Sequence, residues 1–287
     1  MLVSISRIAR RRRPYPPICV ATVRRAKVGI VTINEETYGL TGAAFYDAYF
    51  PVDARALETA TFLARCARES GTDEPIALEL GIGTGRVAFP LADQGVKVFG
   101  VDLAPAMLQI LRDKPEAHRL IVALGDMTDA ATLASISGGV GYDLVYCVFS
   151  TLTALPDAAA QRRCLAAAAS MLAPNGRLVL EMPVPDLTTF DKNRRRVRHL
   201  GRYGDGTTME TARLDPVAQT INFEVTVLSP TTGVTLQPVR SRYVWPHELN
   251  LMAEFAGLRP IARYGNWTHG PFGSDSAINV TVYSGRS

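Results

Sequence analysis

The chain of 287 residues predicts an α/β fold, a doubly wound parallel sheet that carries an antiparallel β insertion. Three observations predict it. Strand-length apolar runs alternate with helical periodicity from residue 54 to residue 182, as in parallel strands joined by crossover helices. A glycine-rich turn, "GIGTG" (81–85), stands between the first of these runs and the helix after it. From residue 197 to residue 243 the chain instead alternates apolar and polar side chains, with turn signals at 204–206, 215–216 and 229–233.

In chain order, residues 43–50 (AAFYDAYF) read as a short aromatic helix stopped by Pro51. Residues 54–69 place Leu57, Ala60, Leu63 and Ala67 at helical spacing, and Gly71 is the stop. The apolar run 76–80 fits a strand covered on both faces. A helix is expected over 84–94, ended by Gly95, and a second strand over 96–101. Pro105 opens a helix to about residue 114, because its fixed φ and missing N–H suit a first turn. Strands follow at 120–124 and 142–149, then an alanine-rich helix at 158–172 and a fifth strand at 177–182. The insertion is expected to hold about four antiparallel strands. A helix over 245–258 and strands at 259–264 and 277–283 complete the pattern. The expected domains are a basic, disordered tail (1–30), a core (31–185 and 246–287) and a β lid (186–245).

Composition narrows the function classes. Hydrophobic residues make up 47% and charged residues 20%, ordinary values for a globular protein. No apolar run approaches the roughly 20 residues needed to span a bilayer. The four cysteines (Cys19, Cys66, Cys147, Cys164) are far apart and form no C-x-x-C pair, so neither a disulfide framework nor a metal site is expected. A cytoplasmic location is the expectation. The net charge of +4 hides an asymmetry: eight of the 31 basic residues, and no acid, lie in 1–30. The other 257 residues then carry 23 basic against 27 acidic side chains, a net of −4. A nucleic-acid enzyme carries its basic face on the folded part, so no nucleic-acid partner is expected. The tail itself has alternatives: a targeting peptide, or a nucleic-acid or membrane-surface arm.

The glycine turn points to a nucleotide. Asp102 ends the second strand 21 residues after Gly81, the spacing at which a carboxylate accepts from a ribose diol. The dinucleotide fingerprint is G-x-G-x-x-G, whereas Gly81, Gly83 and Gly85 are spaced G-x-G-x-G, and bulky Arg86 follows. Glu79 stands two residues before the first glycine. An acid beside a pyrophosphate is unfavourable, but it suits a ligand with an amino group and a sulfonium. An NAD-dependent dehydrogenase is therefore the least favoured reading.

These stretches resemble known motifs. "LELGIGTGR" (78–86) and "VFGVDLAPAML" (98–108) are similar to the first two motifs of class I S-adenosylmethionine-dependent methyltransferases. Gly125-Asp126-Met127, "YDLVYCVFSTLTAL" (142–155) and "LAPNGRLVLE" (172–181) resemble the later ones, with Asn175 in place of a usual glycine. The resemblance implies a Rossmann-like, seven-stranded methyltransferase sheet with S-adenosylmethionine as cofactor. It implies cofactor contacts from Glu79, Gly81, Gly83, Gly85, Asp102, Leu103, Met107, Gly125, Asp126, Met127, Cys147 and Phe149. The aromatic N-terminal helix and the insertion most resemble amino-sugar N-methyltransferases and related bacterial natural-product enzymes. There an N-terminal Tyr reaches the methionine carboxylate; Tyr46 and then Tyr38 are the matching candidates. No N/D-P-P-Y/F motif follows the fourth strand, which speaks against methylation of DNA bases or protein glutamine.

The expected reaction is methyl transfer to an N or O atom of a small molecule in secondary metabolism. Positioning is the main contribution, and a hydroxyl acceptor needs a base. The candidates are His269 in the loop "GNWTHGPFGSD", Glu181 at the end of the fifth strand, and Tyr46. Alternatives are an RNA or protein methyltransferase, or a catalytically silent cofactor-binding subunit. A homodimer is expected by resemblance.

Overall fold

Two sheets hold the strands of the computed structural model, which describes residue 38 and residues 43–203, 205–231 and 233–285. The tail over 1–30 and its alternatives lie outside the described residues. Strands β1 (Ile76–Leu80), β2 (Lys97–Asp102), β3 (Leu120–Leu124), β4 (Tyr142–Cys147) and β5 (Leu172–Pro183) pair in parallel. With β10 (Leu258–Tyr264) and β11 (Ile278–Gly285) they make a seven-stranded sheet of order β10-β11-β5-β4-β1-β2-β3. β11 runs antiparallel to both neighbours. The strand order reverses between β1 and β4, which opens a crevice at their carboxyl ends, where such sheets bind ligands.

All of β4 is buried, which explains its near-continuous apolar sequence. Its side chains alternate between two cores. Leu144 and Tyr146 join Phe62 and Leu63 of helix α2 (Ala54–Arg68), Leu91 of α3 (Ala88–Asp93) and Leu108 of α4 (Pro105–Arg112). Val145 and Cys147 join Leu133 of α5 (Ala130–Ser137), Leu165 of α6 (Ala158–Ser170) and Leu249 of α7 (Pro246–Phe255). Asp53, Asp129 and Asp157 cap α2, α5 and α6 by accepting from backbone N–H groups of the first turn.

Two differences from the expected elements have local causes. Helix α5 was not expected; Asp129 caps it and Gly138, at φ +67°, ends it in the left-handed conformation. Helix α3 begins at Ala88 rather than residue 84, because the glycine turn continues through Gly85 at φ +84°.

The insertion forms the four expected strands, β6 (Arg195–Tyr203), β7 (Gly206–Asp215), β8 (Thr220–Ser229) and β9 (Gly233–Arg242), in one antiparallel sheet of that order. Buried Arg242 bonds to Gln161 of α6, to Gln219 and to Glu248 of α7, which ties this sheet to the core helices. Among the described residues no helix is long and apolar enough to cross a membrane. Among the same residues no group of three or more His, Cys, Asp or Glu could hold a metal ion.

Candidate active site

The turn after β1 is shaped by its glycines. Gly81 adopts φ +78° and lies so close to Thr151 that a Cβ there would sit 2.4 Å from the Thr151 methyl group. Its N–H and that of Ile82 both donate to the Val101 carbonyl of β2, at 2.9 and 3.0 Å. Asp102, the last residue of β2, accepts from the Gly83 N–H at 2.7 Å with one oxygen and from the Ala104 N–H at 2.9 Å with the other. Each oxygen keeps a lone pair for a further donor. Burial raises the Asp102 pKa, opposed by those backbone bonds. Met107 of α4 packs beneath Gly83, while Leu103 is half-exposed beside the same crevice.

Deeper in the crevice, Glu79 of β1 is almost completely buried. The Tyr146 hydroxyl donates to it at 2.9 Å. Burial pushes the Glu79 carboxyl up to about 8, although the Tyr146 bond and the charge of Arg86 act in the other direction. An ionised Glu79 thus lacks a full counter-charge in this environment, and a cationic ligand group would supply one.

Helix α1 (Ala43–Tyr49) covers the turn. Asp47 accepts from the Thr84 hydroxyl and pairs with Lys114 at 2.7 Å; Lys114 also donates to the Thr84 carbonyl at 2.8 Å. The helix thereby places Tyr46, which packs with Tyr38 against Ala43, Ala104 and Met107. Burial raises the pKa of both phenols, and the Asp102 charge adds to the rise in each.

Beside Tyr46 an aromatic wall continues. The Tyr46 and Phe50 rings lie 5.1 Å apart, and Phe50 meets Phe149 edge-on at 5.1 Å. Phe149 follows β4 with φ +54°, an uncommon conformation for a bulky residue. Its N–H donates to Glu181 of β5 at 2.7 Å, and the second Glu181 oxygen is paired with Arg55 of α2.

The structure thus brings together Tyr38, Tyr46, Glu79, Gly81, Gly83, Gly85, Asp102, Met107, Phe149 and Glu181. Gly125 is held at the same edge by donating to the Asp102 carbonyl at 3.0 Å. Asp126 is exposed there and accepts from Thr128 N–H, with Met127 packed against the core. Cys147 is not part of the group: its side chain is packed in the core, among Leu78, Leu80 and Cys164. Nor is His269. It stacks on Phe62 with ring centroids 4.9 Å apart and bonds to Arg65 near the far end of α2. Burial against these neighbours, with the Arg65 charge, lowers its pKa. The reason is local: Asn266 accepts from the N–H groups of Thr268 and Gly270 and curls the loop outward. Sequence reasoning missed Asp47, Phe50 and Arg55, whose partners are remote in the chain.

Comparison with known proteins agrees with this geometry. A family described as "Methyltransferase domain" matches residues 77–176. The solved CcbJ methyltransferase of Streptomyces caelestis is 32% identical with a TM-score of 0.79, over 88% of this chain and 99% of that one. CalS10 of Micromonospora echinaspora, an amino pentose methyltransferase, shares the fold at 24% identity and a TM-score of 0.60, covering 83% and 96% of the two chains. A demethylmenaquinone methyltransferase of Thermus thermophilus is 37% identical over 116 residues, 39% of this chain and 50% of its own length. The chain thus spans about half the length of that relative.

Proposed function

Because the chain belongs to the class I S-adenosylmethionine-dependent methyltransferases, we propose that it methylates a nitrogen or oxygen atom of a small molecule in natural-product biosynthesis, an amine nitrogen being the better match. The side chains present fit the cofactor. Asp102 has lone pairs left for a ribose diol, the positive-φ glycines allow the sharp backbone turn beside it, and buried Glu79 suits an ammonium group. When bound, S-adenosylmethionine supplies a methyl group activated on a sulfonium.

The observation that carries the acceptor reading is the wall of Tyr46, Phe50 and Phe149 beside buried Glu181. Such a wall, under a helix fastened by Asp47, suits a compact acceptor and excludes water from the reacting atoms. Both Glu181 oxygens are engaged, and burial holds the Tyr46 phenol protonated. These groups bind and orient the acceptor rather than remove its proton, which suits an amine that reaches the site neutral. The four-stranded sheet acts in this reading as the acceptor-side lid, and its outer face, with Val197, Val234 and Leu236 exposed, as the homodimer contact.

The test is methyl transfer from radiolabelled S-adenosylmethionine by the full-length protein to a panel of small amines and matched alcohols. Transfer to amines is expected. Transfer to alcohols alone would overturn the amine assignment, and transfer to RNA alone the small-molecule reading.

A further inference from the structure

We propose that Arg86 is a specificity-determining residue for the cofactor and grips its methionine carboxylate; the proposal rests on the methyltransferase reading above. Arg86 follows the glycine turn directly, where a dinucleotide site would require a small residue. Its side chain is only 10% exposed. Its Nε is buried and has no hydrogen-bond partner among the described residues. Among the described residues the nearest carboxylate, Asp53, lies 3.9 Å away, is half-exposed, and already caps α2.

The Phe149 ring covers the flat face of the guanidinium, with Cζ 4.4 Å from the ring centroid. All five guanidinium N–H groups point outward in its plane, so this stacking leaves the donating edge available. A buried guanidinium without an anion on that edge is costly, and a carboxylate satisfies it with two parallel bonds. The surroundings select which anion. The charge of Arg86 acts on both Tyr46 and Glu79, and Glu79 and Asp102 also act on Tyr46, so the residues share one neighbourhood. A phosphate group would face those two acids. An amino-acid zwitterion matches instead, with its carboxylate on Arg86 and its ammonium on Glu79. The stacking on Phe149 also couples this end of the cofactor to the acceptor wall, since the same ring meets Phe50.

Calorimetric titration of the full-length protein tests the assignment with two ligands that differ by one group. These are S-adenosylhomocysteine and its decarboxylated analogue, which keeps the amine. Wild type should prefer S-adenosylhomocysteine by about tenfold to a hundredfold, the range for one charge-assisted pair. Arg86→Gln should lose most of that preference by weakening only S-adenosylhomocysteine, and Arg86→Lys should keep part of it. Binding of the decarboxylated analogue serves as the folding control for each variant. Equal weakening of both ligands by Arg86→Gln, or of neither, would overturn the carboxylate assignment. A wild type that binds neither ligand would instead overturn the cofactor reading, and this proposal with it.

Discussion

Replacing Glu79 by Gln should stabilise the ligand-free protein at alkaline pH while weakening its hold on S-adenosylhomocysteine. Burial, reinforced by the Asp102 charge, raises the Glu79 carboxyl from 4.5 to about 8, against the opposing Tyr146 bond and Arg86 charge. The folded pKa lies above the unfolded one, so the folded state holds a proton that the unfolded state has released between these two values. Stability on this account is undiminished below about 4.5, falls as the pH rises, and levels off above about 8. At about 1.36 kcal/mol per unit, the accumulated cost is on the order of 5 kcal/mol. Gln removes the titration and keeps an oxygen to accept from Tyr146. Urea unfolding of both proteins at pH values near the two ends of that window reads the effect. The stability difference should move by several kcal/mol in favour of Glu79→Gln at the alkaline end. A difference constant to within about 0.5 kcal/mol would refute the reasoning, since it would mean that Glu79 titrates alike in both states. Ligand binding gives an independent reading. An ammonium held against Glu79 favours its charged form, so binding near neutral pH should release up to one proton, measurable by calorimetry in buffers of different ionisation enthalpy. Glu79→Gln should abolish that release and weaken binding by roughly tenfold to a hundredfold, the worth of a hydrogen bond to a charged group.

Four further outcomes follow from the same geometry. Asp102→Ala removes the proposed ribose acceptor, so S-adenosylhomocysteine should bind about a hundredfold more weakly by titration, from one or two charged hydrogen bonds. Asp47→Ala unfastens α1 from Thr84 and Lys114; because that pair is partly exposed, stopped-flow release of the same ligand should quicken only about threefold to tenfold. Gly81→Ala places a methyl group 2.4 Å from Thr151 at φ +78°, and urea denaturation should show a loss of roughly 2 kcal/mol or more. His269→Ala should leave the methyl-transfer rate within about twofold, because its ring is held by Arg65 and Phe62 rather than by the acceptor wall.

What the sequence discloses, and what it hides, follows from how far apart the interacting residues are. The strand–turn–helix–strand unit is local: its glycines, Asp102 and Glu79 lie within one stretch, and periodicity with glycine spacing suffices to place them. Helix α5 was hidden because its sequence, AATLASIS, shows little amphipathic contrast, and its evidence lies in the two caps. The acceptor wall depends on pairs that spacing does not encode. Glu181 finds Arg55 126 positions away, and Thr84 finds Asp47 37 positions away. Phe149 becomes part of the wall only because the chain turns into the left-handed region just after β4. His269 illustrates the opposite error. A glycine-rich loop beside the last strands looks able to approach a pocket, yet the Asn266 side chain fixes the bend and the aromatic pair Phe62 and Tyr264 captures the ring. Loop composition reports conformational freedom; the destination of a side chain is set by the surface that packs it. The same distinction explains Arg86. Its position after the glycines is legible as a departure from the dinucleotide pattern, but its consequence is not, because the orphaned Nε and the stacking on Phe149 exist only once β1 and β4 lie side by side.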